Sequence, residues 1–180
     1  MYWTLSKWLA AKTDDTRDLL VASINTRHPA INLDNCKSLI SAHSQFLQLV
    51  EPVYADPIFQ QMFAAFLPAR TSQAHRLFSS DPGSANHAQN LVRAKLPQGL
   101  VPRIGWLYAA AFVDRGLAQL SKTAQLSDDS VTIDFEENSR NWKSFKAELD
   151  QLYLSEAEEG RLVDAVRSAL CAYCKLLKRR

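Results

Sequence analysis

The chain has 180 residues and a net charge of +2, and 47% of its residues are apolar. That length suits one domain with a substantial core, and the mixed charges exclude the broad basic surface of a nucleic-acid-binding protein. With only five glycines and seven prolines, an all-β fold is disfavoured and helices are favoured. We find no bilayer-spanning apolar run and no signal-peptide pattern, so we expect a cytoplasmic protein with no membrane segment.

Apolar spacing in the first half of the chain predicts a series of helices. The first runs from about Trp3 to Asn25 and has a polar stretch at its centre. A second helix follows and is predicted to kink or break at Pro52, because proline removes a helical hydrogen bond. The helical pattern resumes at Pro57, a residue that suits the first turn. A shorter helix is predicted over residues 70–78.

The second half of the chain also follows helical spacing. A long helix is predicted from about Arg103 to Lys122, and a further one carries apolar residues from Trp142 to Leu152 on one face. The last helix begins at Ser155, where Glu158 completes a capping box. The predicted architecture is therefore an all-α, compact multi-helix bundle, and we expect residues 1–180 to form a single domain.

Few patterns of known chemistry occur. The chain contains no Gly-x-Ser-x-Gly, phosphate-binding loop or dinucleotide fingerprint, and no Glu-x-x-His unit for a di-iron site. Cys171 and Cys174 form a C-x-x-C within a helical pattern, without the second pair of ligands that zinc needs. We therefore expect these cysteines to be buried and apolar in character.

Three motifs occur in a fixed order. E-P-V-Y-A-D-P (51–57) ends the second predicted helix, G-W-L-Y-A-A (105–110) lies in the long helix, and N-W-K-S-F-K-A-E-L (141–149) precedes the capped last helix. Together they resemble the heme oxygenase family, particularly its bacterial members, over nearly the whole chain. The resemblance implies a heme slot between a proximal first helix and a distal helix that contains Gly105. It also implies the opening of heme to biliverdin, carbon monoxide and iron with O2 and a reductant.

This sequence departs from the family pattern on both faces of the implied slot. The proximal histidine position falls on Arg17, whose guanidinium stays protonated and has no lone pair for iron. The glycines of the distal Gly-x-x-x-Gly step fall on Phe112 and Gly116, so a phenyl ring stands where the family has no side chain. The resemblance also places Tyr108 and Arg115 in the slot.

These departures lead to three hypotheses. The first is a degenerate heme oxygenase-like protein, a pseudoenzyme for heme, which binds a tetrapyrrole or another small molecule, or a protein partner. The second is an active heme oxygenase with a non-standard iron ligand, and the third is a helical interaction module without a slot. Heme is the cofactor only if the family role survives, and no metal site is assigned. The weak candidates for an iron ligand are His28, His43, His75 and His87.

Arg17 has a further hypothetical role in this scheme. Its guanidinium could pair with a carboxylate or with Asp114 across the slot.

Overall fold

The computed structural model describes residues 3–27, 33–66, 97–123 and 135–178. Within these ranges the regular structure is entirely α-helical, which confirms the predicted all-α class. The predicted helix over residues 70–78 lies outside the described residues. The helices are α1 (Leu5–Lys12), α2 (Asp14–Arg27), α3 (Leu33–Tyr54), α4 (Pro57–Met62), α5 (Leu100–Thr123), α6 (Phe135–Leu149) and α7 (Glu156–Lys178).

The first predicted helix is in fact two helices, α1 and α2, which meet at Thr13. The Thr13 hydroxyl donates to the Leu9 carbonyl oxygen at 2.8 Å, and the Thr13 N–H donates to the same oxygen at 3.1 Å. A threonine side chain that bonds the preceding turn competes with the helical pattern, and Thr13 has left the helical region at φ −115° and ψ 11°. The prediction of one continuous helix was therefore wrong.

The junction between α1 and α2 is held by α7. Arg167 of α7 donates from Nη2 to the Lys12 carbonyl oxygen at 2.9 Å and lies 3.3 Å from Asp15 Oδ2. The free carbonyl at the end of α1 thus gains a cationic partner, which suits the negative end of a helix dipole. The start of α2 is consequently fixed to α7 through one arginine.

Proline residues shape the end of α3 and the start of α4. α3 continues through Pro52 and ends at Tyr54, so the missing N–H falls in the last turn of the helix. Of the two predicted outcomes at Pro52, a kink or a break, the break does not occur there. α4 begins at Pro57, as predicted. Asp56 caps it, because its carboxylate accepts from the Ile58 N–H at 2.9 Å.

α5 is the central helix of the described part and packs against α3, α6 and α7. Every residue from Ile104 to Ala111 is buried, which requires neighbours on several faces of the helix. Aromatic rings supply much of this cover, since Phe46 stacks on Trp106 with centroids 5.9 Å apart. No helix in the described ranges is long and apolar enough to cross a bilayer.

Gly105 lies where α5 meets α7. A Cβ atom at this position would lie 2.7 Å from the Ala165 Cβ and 3.1 Å from both the Leu162 carbonyl oxygen and the Val166 nitrogen. Only glycine allows the two backbones to come this close. The first residue of the G-W-L-Y-A-A motif is therefore explained by helix packing.

α7 begins with the capping box predicted from the sequence. The Ser155 N–H donates to Glu158 Oε2 at 2.9 Å, and the Ser155 hydroxyl lies 2.7 Å from the same oxygen. These hydrogen bonds hold the pKa of the Glu158 carboxyl below its ordinary value. The box fixes the start of the helix on which α2, α3 and α5 all pack.

Candidate functional site

α2 and α5 both pack on α7, whereas few of their backbone positions approach one another. Side chains bridge the space between them, which we call the α2–α5 interval. Its side chains on α5 are Tyr108, Phe112 and Arg115, and its side chain on α2 is Arg17. The Arg17 guanidinium carbon lies 5.3 Å from the centroid of the Phe112 ring, a cation–π contact.

The hydrogen-bond partners of the Arg17 guanidinium lie in α1 and α2, close to Arg17 in the sequence. Its Nη2 donates to the Ala10 carbonyl oxygen at 2.8 Å and to Asp14 Oδ1 at 2.5 Å. Arg17 therefore pairs with a carboxylate of its own helix, Asp14, and the described residues show no Arg17–Asp114 pair across the interval. The Arg17 Nε–H is buried and has no hydrogen-bond partner within the described ranges.

Tyr108 lies one turn before Phe112 on α5 and is almost fully buried. Burial raises the pKa of its phenol, and the positive charges of Arg17 and Arg115 oppose this rise. The hydroxyl is therefore protonated at neutral pH and available as a donor. It has no hydrogen-bond partner in the part of the chain that the structure describes.

Trp142 of α6 closes one side of the interval. Its ring centroid lies 5.5 Å from that of Tyr108, and the Arg115 guanidinium carbon lies 5.9 Å from the Trp142 ring. The Lys146 Nζ is 5.8 Å from the same ring. The Trp142 indole N–H is buried and, among the described residues, has no acceptor. The sequence did not single out Trp142 and Lys146 as site residues; their spacing of four places both on one face of α6.

Gly116 lies at the outer edge of the interval. It is exposed, and no described atom lies within 4 Å of where its Cβ would be. The structure therefore brings Arg17, Tyr108, Phe112 and Arg115 together and leaves Gly116 beside them without a packing role.

His43 is the one candidate iron ligand within the described residues, and it is engaged elsewhere. Its Nε2 lies 2.6 Å from Asp114 Oδ1, and both side chains are buried. Asp114 is two residues from Phe112, so it projects from the other side of α5, away from the interval. Burial and the Asp114 charge raise the pKa of the neighbouring Tyr173 phenol. The His43–Asp114 pair joins α3 to α5. Its only signal in the sequence was an acidic residue, Asp114, in an otherwise apolar helix.

The other metal-ligand candidates are not assembled into a site by the described residues. His28, His75 and His87 lie outside the described ranges. Within those ranges there is no group of three or more side chains that could hold a metal ion.

The C-x-x-C pair differs from its prediction. Cys171 is exposed and Cys174 is half-buried, because α7 turns Cys171 away from its inner face. Burial raises the pKa of the Cys174 thiol. The expectation that both cysteines are buried was therefore wrong.

Comparison with known proteins identifies the fold. No family model matches the chain. The heme oxygenase PigA from Pseudomonas aeruginosa is 23% identical over 187 residues, which cover 97% of this chain and 91% of PigA. The crystal structure of the NO- and CO-bound heme oxygenase from Neisseria meningitidis has a TM-score of 0.65 and 21% identity, and the match covers 98% of this chain and 92% of that one. The chain has a heme oxygenase-like fold.

The heme oxygenase-like fold confirms the bundle that the sequence resemblance implied. α2 and α5 are the two helices that the resemblance assigns to the proximal and distal sides of a slot. In this heme oxygenase-like protein, the side chains at the two departures from the family pattern, Arg17 and Phe112, touch each other across that interval.

Proposed function

We propose that this heme oxygenase-like protein does not degrade heme by a histidine-ligated route, and that its α2–α5 interval serves a different small ligand. The observation that carries this proposal is the contact between Arg17 and Phe112, with 5.3 Å between the guanidinium carbon and the ring centroid. These two side chains come from opposite walls of the interval.

The spacing is too small for a porphyrin at this point. A flat ring between two groups needs about 3.5 Å on each side, or about 7 Å in all. The Arg17–Phe112 separation is shorter than that. A histidine-ligated heme therefore does not fit these residues as they are arranged, and we derive no reaction step through heme.

The ligand chemistry leads to the same conclusion. Arg17 offers only N–H donors toward the interval, and a guanidinium does not deprotonate to bind iron. His43 uses Nε2 on Asp114 and lies on the other side of α5. No imidazole within the described residues faces the Arg17–Phe112 contact.

An active heme oxygenase is the alternative favoured by the similarity to PigA. A hemin titration of the purified apo-protein, monitored by absorption spectroscopy, distinguishes the two functions. We expect no saturable Soret shift beyond that of a nonspecific control protein. A one-to-one complex with the spectrum of axial histidine, and biliverdin release with O2 and a reductant, would overturn the proposal.

A gain-of-binding variant tests whether Arg17 and Phe112 are what prevents heme binding. Arg17→His combined with Phe112→Gly supplies an imidazole and removes the opposing ring, so we expect a saturable Soret shift in the double variant. Arg161→His is the matched control, since it exchanges an exposed arginine of α7, whose ion-pair partner is Glu158, for histidine. If a folded double variant bound hemin no better than Arg161→His, these two residues would not be what prevents heme binding.

A further inference from the structure

The C-x-x-C pair of α7 is not part of the α2–α5 interval, and the proposed function does not use it. Cys171 and Cys174 are both free thiols. α7 is a continuous helix from Glu156 to Lys178, and residues three apart on a helix are surface neighbours with Cβ atoms about 5–6 Å apart. Rotation about the Cα–Cβ bonds therefore lets both sulfur atoms reach one small ion.

The two thiols differ in exposure in a way that suits an ion arriving from solution. Cys174 is half-buried and packs against the hydrophobic core, so its side chain is restricted on one side. Cys171 is exposed, so its sulfur is free to turn toward Cys174. An ion on the outer surface of α7 would contact both sulfur atoms without any opening of the core.

The charges near the pair favour a bound cation. Burial raises the pKa of the Cys174 thiol, the neighbouring Cys171 raises it further, and Lys178 lowers it. A negative charge on one sulfur therefore disfavours ionisation of the other, and a cation bound to both removes that repulsion. Lys175 and Lys178 are exposed and each follows a cysteine by four residues, so they face the negative charge of two thiolates around a monovalent ion.

The number of donors decides which ion fits. Structural zinc and iron–sulfur clusters take four protein ligands. Within the described ranges, no group of three or more histidine, cysteine, aspartate and glutamate side chains could hold a metal ion, so Cys171 and Cys174 have no third protein ligand there. Cu(I) is a soft ion that thiolates select, and two sulfur atoms in a linear arrangement satisfy it.

We propose that Cys171 and Cys174 form a two-thiolate site for one Cu(I) ion on the outer surface of α7. Each S–H bond is replaced by an S–Cu bond, and the two protons are released to water. Copper stays in the Cu(I) state, so the step needs no oxidant or reductant. The site shares no residue with the α2–α5 interval, and it goes beyond the proposed function.

An anaerobic titration of the reduced full chain with Cu(I), against a chromogenic Cu(I) chelator of known affinity, tests the site. We expect one Cu(I) per chain. Cys171→Ser and Cys174→Ala should each weaken binding by at least about a hundredfold, because loss of a ligand costs more than the roughly 10–100-fold that loss of a ligand's hydrogen-bond partner costs. Cys36→Ser removes the third thiol of the chain and is the matched control, with unchanged affinity.

Thermal unfolding of the copper-free variants separates a lost ligand from a damaged fold. Cys171 is exposed, so we expect Cys171→Ser to melt at the temperature of the parent chain. Cys174→Ala keeps an apolar side chain against the core, so its melting temperature should change little.

Gel filtration with Zn(II) tests whether two chains join their cysteines into one four-sulfur site. We expect an unchanged elution volume. Zinc-dependent dimerisation with one ion per two chains would overturn the proposal, as would Cu(I) binding no tighter than in Cys171→Ser, or a weaker affinity in Cys36→Ser. The hemin titration is independent of these results, since it concerns the α2–α5 interval.

Discussion

The two halves of α5 differ in how strongly helix packing restricts which residues they can carry. In the first half, residues 100–111, every residue from Ile104 to Ala111 is buried, and Gly105 brings the backbones of α5 and α7 together. In the second half, residues 112–123, Phe112, Arg115 and Gly116 face the interval or solvent. The comparison teaches that helix packing constrains the first half, whereas the exposed face of the second half is free to carry a different chemistry.

The second half also has a buried face, which carries Val113, Asp114 and Leu117. Asp114 is paired with His43 of α3, so this face is constrained by packing as the first half is. The contrast is therefore between faces of the helix as well as between its ends. Three substitutions test it, and we take them in order of expected effect.

His43→Leu should have the largest effect. It removes the Nε2 partner of the buried Asp114 carboxylate, and breaking a buried pair of this kind costs about 3–5 kcal/mol. We expect that loss in the free energy of unfolding, measured by urea denaturation. Replacing both partners, with His43→Leu and Asp114→Leu together, should recover much of it. A double variant no more stable than His43→Leu would show that the loss of stability does not come from the broken His43–Asp114 pair.

Gly105→Ala should come second. The new Cβ would meet the Ala165 Cβ at 2.7 Å, and overpacking of this kind costs about 1–3 kcal/mol. Thermal and urea unfolding would measure the loss. Adding Ala165→Gly should restore part of the stability, because it removes one of the close contacts. A Gly105→Ala protein as stable as the parent would contradict the close approach of α5 and α7.

Gly116→Ala should have the smallest effect, and of opposite sign. No described atom lies near the new Cβ, and alanine is favoured over glycine in a helix by about 1 kcal/mol. We expect a small gain in the free energy of unfolding, measured beside Gly105→Ala. A loss would mean that Gly116 has a packing role and that the two halves of α5 are not so different.

Local patterns were predictable from the sequence, and pairings between helices were not. The long helix was predicted from about Arg103 to Lys122 and runs from Leu100 to Thr123, because its apolar spacing is strong. The capping box at Ser155 was also predicted, since both partners lie within one turn. The break between α1 and α2 at Thr13 was not predicted, because it depends on a single hydrogen bond from the Thr13 hydroxyl to the Leu9 carbonyl oxygen.

The candidate site was predictable only in part. Resemblance to a known family brought Arg17, Tyr108, Phe112 and Arg115 together, and the structure places them around one interval. The pairing of His43 with Asp114 could not be read from the sequence, because 70 intervening residues separate them along the chain. Burial makes such a pair strong, and burial is a property of the folded chain.

The fixing of α5 at two points has a mechanical consequence. Gly105 and Asp114 are nine residues apart, so the helix is anchored to α7 and α3 at points about 13 Å from each other. A rod held at two points along its length cannot tilt about either one. α5 is therefore a fixed wall of the interval, and the start of α2, which carries Arg17, is held to α7 through Arg167. The separation of the two walls is therefore set by their contacts with α7 and α3.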